Sequence, residues 1–338
     1  MKGIFINEIT KNNQVQGIFL VKEKHMGVTK NGIPYLSLRL MDRTGDINAR
    51  VWDGAEKCDR LFDKNDFIRA SGRSSLYQGG LQLTLSTLER CDDPGIALED
   101  FLPASRFPVE EMWKELQFIV NDIRDDYLKS LLGLFFHDQA FAEGFKMAPA
   151  AKALHHVYVG GLLEHSLSVA RLARLLCDNY EGVNRDVLVA GALLHDVGKV
   201  QELSYRKVFD YTDVGRLIGH ISIGVEMVEA KMNTIDDFPP DLKMLLKHMI
   251  LSHHGHYEYG SPKRPKTLEA LMLYYLDDLD AKVNSFQQFV TKGDGEEASW
   301  SSYHKFFDRY LFSQSYTSRE FSHDGTTDQG AGNESDEG

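Results

Sequence analysis

Residues 190–199 read Ala190-Gly191-Ala192-Leu193-Leu194-His195-Asp196-Val197-Gly198-Lys199. An apolar helical run delivers an adjacent histidine and aspartate to its end, and a glycine and a lysine follow. Neither polar side chain can point into a helical core without a partner, because burying an unpaired carboxylate is costly. A divalent cation supplies that partner: neutral imidazole and ionised carboxylate both donate lone pairs to a hard or borderline ion, and one carboxylate can bridge two ions. The stretch therefore predicts a helical domain built around a metal-binding end.

The same residue types recur on both sides of this stretch. Of thirteen histidines, nine lie between positions 155 and 256, where even scatter would place about four. Upstream, Gly160-Gly161-Leu162-Leu163-Glu164-His165-Ser166 opens an amphipathic helix with His165 in its first turns. Downstream come His220, in Arg216-Leu217-Ile218-Gly219-His220, and the pair in Leu251-Ser252-His253-His254-Gly255. In Tyr275-Leu276-Asp277-Asp278-Leu279-Asp280-Ala281-Lys282, Asp277 and Asp280 share a helix face one turn apart. His155 and His156, before the Gly160-Gly161 break, fit a cleft lining or a core equally, and His248 and His256 are left outside the metal set.

Before residue 95 the periodicity is that of strands. The runs Val15–Val21, Tyr35–Leu40, Asn48–Trp52, Asp66–Gly72 and Leu81–Leu85 alternate or are short and apolar, and Asn31-Gly32, Gly45-Asp46 and Gly79-Gly80 separate them as turns. A short helix is expected over Ala55–Phe62. Three strands, a helix and two strands follow the order of the OB-fold, a small closed barrel. From Val109 the spacing of Met112, Leu116, Ile119, Val120 and Ile123 becomes helical and continues in pieces to about Phe312. The expected organisation is an α+β multidomain chain: a five-stranded barrel (1–95), a linker with leading helices (96–150), an all-α metal-binding domain (151–312) and a disordered acidic tail (313–338).

Taken in this order, His165, His195-Asp196 and Asp277 resemble the H…HD…D signature of the HD-domain metal-dependent phosphohydrolases. The resemblance makes Asp277 the last ligand and Asp280 a supporting residue, and puts His220, His253 and His254 where binuclear members hold a second ion. The barrel followed by LLEHS, GALLHDVGK, GRLIGH, ILSHHG and LDDLDAK is similar to the bacterial YhaM-type 3′–5′ exoribonucleases over nearly the whole chain before the tail. What that implies is cleavage of single-stranded RNA, with single-stranded DNA as a further substrate, by two divalent ions. Manganese comes first among the candidate ions. The mixed nitrogen and oxygen donors also suit cobalt, iron or zinc, and disfavour magnesium.

In that chemistry Asp196 bridges the ions, and Lys199 holds a phosphate oxygen or steadies the leaving group. Arg216, Lys263 and Arg264 are candidate phosphate contacts, the last two in the loop His256–Lys266, which mixes cations with Tyr257 and Tyr259. Phe19, Tyr35, Trp52 and Tyr77 offer rings for base stacking on the barrel, with Tyr35 and Trp52 preferred. Two rivals stand beside this reading: a phosphohydrolase of nucleotides or cyclic dinucleotides, and a nucleic-acid-binding protein without catalysis.

Composition sets the limits. At 338 residues and a formal net charge of −12, the chain is no basic nucleic-acid coat and has no bulk attraction to anionic membranes. Residues 1–95 nevertheless carry a net +2 and residues 313–338 a net −5. No apolar run approaches the roughly 18–20 residues that span a bilayer, and MKGIFINEIT lacks the apolar core of a secretory signal. Cys58, Cys91 and Cys177 are far apart and form no CxxC motif, as expected of a reducing cytoplasm. The sequence leaves homo-oligomerisation open.

Overall fold

A computed structural model describes residues 2–92, 96–152, 156–205, 209–291 and 299–312. The tail expected at 313–338 and His155 lie outside the described residues. The chain divides into two compact units, residues 1–285 and 286–338.

The first unit begins with the expected barrel. Strands β1 (Gln14–Val28), β2 (Pro34–Asp42), β3 (Gly45–Val51), β4 (Phe67–Tyr77) and β5 (Gly80–Arg90) close in the order β1-β2-β3-β5-β4, with α1 (Ala55–Asp59) between β3 and β4. All neighbours pair antiparallel except β3 and β5, whose parallel contact closes the barrel. Register follows the alternation. Leu36, Leu38 and Leu40 of β2 stand opposite Val51, Ala49 and Ile47 of β3, and all six are buried, while Arg39 faces outward. Phe19 is wholly buried in this core, so it offers no ring for stacking.

The linker is docked against both domains. Phe101 and Leu102 are buried with Ile18, Leu20 and Phe67 of the barrel and with Val159 of the helical domain. Backbone bonds sew the seam: the Val159 amide donates to Pro103, the Ser105 amide to Val159, and the Arg43 amide to Asp100. Burying a Phe or Leu side chain contributes about 1.5–3 kcal/mol, so this seam holds barrel and helices together firmly.

Helices α2 (Val109–Asp122), α3 (Asp126–Phe136) and α4 (Gln139–Met147) lead into α5 (Gly161–Cys177), α6 (Arg185–Leu194) and α7 (Lys199–Glu202). Side chains of Asp125, Asp138 and Asn184 cap α3, α4 and α6. Every residue of α6 from Asp186 to Leu194 is buried, which is why its sequence is apolar all round. The short pair β6 (Leu203–Ser204) and β7 (Asp210–Tyr211) comes next, then α8 (Asp213–Ile218), α9 (His220–Met232), α10 (Pro240–Ser252) and α11 (Leu268–Thr291).

Two parts of the all-α expectation are corrected. The β6–β7 pair interrupts the helical domain. In the second unit, residues 300–312 form a hairpin of β8 (Trp300–His304) and β9 (Arg309–Phe312) in place of the expected helix. The cause is aromatic pairing: Trp300 packs on Phe312 and Tyr303 on Tyr310, with ring centroids 5.1 and 5.4 Å apart. A reading tuned to helical spacing passed over that two-residue period.

Candidate metal centre

Five helices and one turn converge at one end of the helical domain. Helix α5 carries His165 in its second turn, and α6 ends at His195, with Asp196 in the turn to α7. Helix α9 begins at His220, α10 runs out into His253 and His254, and α11 presents Asp277 and Asp280. Glycines make the convergence sterically possible. A Cβ on Gly198 would lie 2.1 Å from the His220 carbonyl oxygen and 2.7 Å from the Gly224 amide, so the turn after Asp196 needs glycine to touch the start of α9. Gly219 holds φ +78° and ψ 152°, a region that side chains avoid, and so aims His220 inward.

The donors form two groups that share one carboxylate. On one side the His165 Nε2 atom lies 3.2 Å from His195 Nε2, 3.0 Å from Asp277 Oδ1 and 3.6 Å from Asp196 Oδ2. On the other, Asp196 Oδ1 lies 3.5 Å from His220 Nε2 and 3.6 Å from His253 Nε2. The donor atoms of His220, His253 and His254 all lie within 4.8 Å of one another. A cation about 2.1 Å from each donor puts neighbouring donors roughly 3.0–3.4 Å apart, close to these spacings.

The tautomers agree with this arrangement. Each of the five inward-facing histidines has Nδ1 against an acceptor: His195 on the Ala192 carbonyl at 2.9 Å, His253 on Ile250 at 2.7 Å and His254 on Tyr259 at 2.8 Å. His220 meets Glu202 Oε1 at 3.0 Å and His165 meets Asp280 Oδ2 at 2.7 Å. Carbonyl and carboxylate oxygens only accept, so every Nδ1 donates and every neutral Nε2 turns a lone pair toward the centre. His220 Nε2, His253 Nε2 and Asp196 Oδ1 are buried there with no hydrogen-bond partner among the described residues. Lone pairs aimed at a shared space from the dry interior repel unless a cation lies between them. The residues fit two divalent ions, one held by His165, His195, Asp196 and Asp277, the other by Asp196, His220, His253 and His254.

Electrostatics follow from burial and neighbours. His165, His195 and His253 are fully buried, whereas His220, His254 and Asp277 are partly open and form the mouth. Burial lowers His253 well below the usual histidine value and keeps it neutral. Burial also opposes charge on His165, but hydrogen bonds to Asp277 and Asp280 outweigh it and raise it to about 10, so a proton stands where a cation would. Burial pushes Asp196 up, yet Lys199, His195 and His220 together hold its carboxyl well below the ordinary range. The Lys199 ammonium sits 2.5 Å from Asp196 Oδ2, itself nearly buried.

The seven predicted ligands are brought together; the predicted substrate contacts are scattered. Tyr35 and Trp52 stack on the barrel surface at 5.1 Å, with the Arg50 guanidinium 5.6 Å from the Tyr35 ring centre, and Trp52 and Tyr77 are exposed. Arg216 pairs with Asp210 at 2.9 Å. Arg264 lies over the Tyr257 ring, and Lys263 faces lysines of α10. Sequence reasoning missed Glu202, which accepts from both the ring and the backbone amide of His220. It also missed the depth of support behind His165. Asp280 accepts from His165, from Ser168 and, at 2.9 Å, from His156, which is buried. For Asp280 the signal was its place one turn from Asp277; for Glu202, an acid three residues after Lys199, no spacing rule marks it.

Family models match both halves of the first unit: an HD domain over residues 162–282 and an OB-fold nucleic acid binding domain over 15–90. A third, described as a putative helicase, overlaps 108–182. Among curated proteins, the 3′-5′ exoribonuclease YhaM of Bacillus subtilis (strain 168) is 35% identical over 296 residues, covering 86% of this chain and 91% of that protein. YhaM of Geobacillus sp. (strain WCH70) is 32% identical over 92% of this chain and 96% of its own. YhaM of Listeria welshimeri is 36% identical over 82% and 88%. Among solved structures, the second OB-fold domain of replication protein A from Methanococcus maripaludis aligns at 21% identity and a TM-score of 0.23, over 27% of this chain and 95% of that one.

Proposed function

The chain belongs to the YhaM family of 3′–5′ exoribonucleases, and on that premise we propose that it shortens single-stranded RNA from the 3′ end, releasing nucleoside 5′-monophosphates, at a centre of two divalent cations. The observation that carries the centre is Asp196, whose two oxygens divide between two sets of inward imidazole nitrogens. Two bound cations supply an activated water and a clamp on the charge that grows at phosphorus.

The chain's own residues do the rest. His165, His195 and Asp277 would hold one cation and His220, His253 and His254 the other, with Asp196 facing both sets. Asp280 and Glu202 keep His165 and His220 in the ligating tautomer. The Lys199 ammonium, fixed beside Asp196, reaches a non-bridging phosphate oxygen. The apolar wall of α6 keeps the floor dry, which strengthens each of these charges. Tyr35 and Trp52 give bases a stacking face on the barrel, and the linker packs between the barrel and the helical domain.

Manganese suits this mixed donor set, and cobalt, iron and zinc accept it too. Single-stranded DNA fits the same barrel and centre. Three free cysteines accord with a cytoplasmic protein, and among the described residues no helix is long and apolar enough to cross a membrane.

The test is a 5′-labelled single-stranded RNA incubated with manganese. A ladder that shrinks from the 3′ end is expected. Intact RNA beside hydrolysed nucleotide would move the assignment to a nucleotide phosphohydrolase, and RNA retarded in a gel but never cut would leave only binding.

A further inference from the structure

Helix α10 and the loop after it border an open cleft of about 500 Å³ lined by Lys243, Lys247, Lys263 and Lys266, with Met244 and Leu251 on its apolar surface. In a chain of net charge −12, four lysines around one hollow are a local reversal of sign. Lys247 is balanced by Glu229 at 2.8 Å. Lys243 donates to the neutral amide oxygen of Asn233 at 2.7 Å and shares the more distant charge of Glu229. Neither it, Lys263 nor Lys266 forms an ion pair among the described residues.

The cleft is built rather than incidental. Lys263 stands between Pro262 and Pro265, and Ser261, buried, bonds through Oγ to the carbonyls of Leu251 and Lys263. The Lys263 amide donates to the Leu251 carbonyl and the Lys266 amide to His248 Nε2, so the loop is pinned along α10. These ties fix two loop lysines opposite two helix lysines before any ligand arrives, which lowers the ordering cost of binding.

Its direction follows from helix geometry. Lys243, Lys247 and Leu251 recur every fourth residue on one face of α10, and the helix ends at Ser252, directly before the ligand candidates His253 and His254. At 1.5 Å per residue, Lys247 and Lys243 lie about 8 and 14 Å along the axis from the helix end at Ser252. His254 is also at the open mouth of the centre. A row of cations leading away from a phosphodiester-cleaving site matches a ligand with evenly repeated anions. The exposed Met244 and the half-buried Leu251 match the sugar and base faces between them.

We infer that this cleft is the track for the phosphate backbone of the RNA strand on the 5′ side of the bond being cut, and so a substrate site separate from the barrel. The inference rests on the exoribonuclease reading above. It gives Lys263 and Lys266, both of the loop His256–Lys266, a set of partners and adds Lys243, which no motif marks.

The experiment compares the full-length protein with a triple variant, Lys243→Gln, Lys263→Gln and Lys266→Gln, all at exposed or half-exposed positions. Affinity for a fluorescent 15-nucleotide RNA is measured in the Asp196→Asn background across a salt series. Removing three phosphate contacts should lower the slope of log affinity against log salt by about 2 and weaken binding roughly tenfold near 0.1 M salt. In the Asp196-containing protein, the rise in KM should be larger for the 15-mer than for a trinucleotide. Unchanged affinity and slope would overturn the track, and would point to an acidic protein as the occupant if such a partner alone lost binding. Equal losses on both RNA lengths would also overturn it. If the unsubstituted enzyme does not shorten RNA at all, the exoribonuclease reading fails first, independently of the lysines.

Discussion

Asp196 concentrates the chemistry at the residue scale. One carboxylate facing two groups of imidazoles cannot be replaced by an amide, which brings no charge to bridge two cations. Asp196→Asn should therefore abolish turnover while leaving RNA retardation in a gel near that of the parent; a variant that still cut RNA would sink the bridging role. Behind the ligands, Asp280→Asn removes the charge that fixes His165, and such supporting substitutions cost about 10- to 100-fold in metal affinity. Activity should then return at high manganese, and a variant unaffected at limiting metal would deny Asp280 that part. The proton on His165 gives the pH dependence. Its carboxylate partners raise it to about 10 in the metal-free protein, so below that pH a cation must displace a proton. Apparent metal affinity should rise with pH, by about tenfold per unit for one proton released. Titration calorimetry in two buffers of different ionisation heat reads that release, and none at pH 7 would contradict it. The ligands were legible in sequence because donor type and order survive without coordinates. Glu202 was not, because only folding brings the end of α7 under the first turn of α9.

At the scale of elements, the centre depends on helix ends meeting, and Gly198 is where two of them touch. Gly198→Ala would drive a methyl group into the His220 carbonyl and the Gly224 amide. Overpacking of this kind typically costs about 1–3 kcal/mol. A lower melting temperature and a fall in bound manganese from two ions toward one are expected, since α9 carries His220. Full stoichiometry in that variant would show that α9 yields without consequence. The strands of the barrel were plain from their alternation and turns, because a small barrel buries one face of each strand. The hairpin at 300–312 was not, since its stabilisation comes from cross-strand ring pairs that a linear reading for helical period does not see.

At the scale of domains, the seam through Phe101 and Leu102 joins the barrel to the helical domain that carries the centre. Simple removal of residues 1–95 would strip cover from those side chains and from Val159, so surface variants make a cleaner test of the barrel. Tyr35→Ala with Trp52→Ala should weaken RNA binding by about 1–3 kcal/mol per lost stacking contact, read by fluorescence anisotropy; unchanged binding would assign the strand to another face. Composition, residue order and periodicity alone determined a barrel followed by a helical domain, and a histidine and aspartate set able to hold metal, because these depend on local spacing and donor chemistry. Which oxygen of Asp196 faces which group, which carboxylates lock the imidazoles, and which lysines share a cleft were decided only by tertiary structure. The reason is distance: Glu202 and His220, His165 and Asp280, or Lys243 and Lys263 are far apart in sequence, and nothing but packing of helices sets their separation.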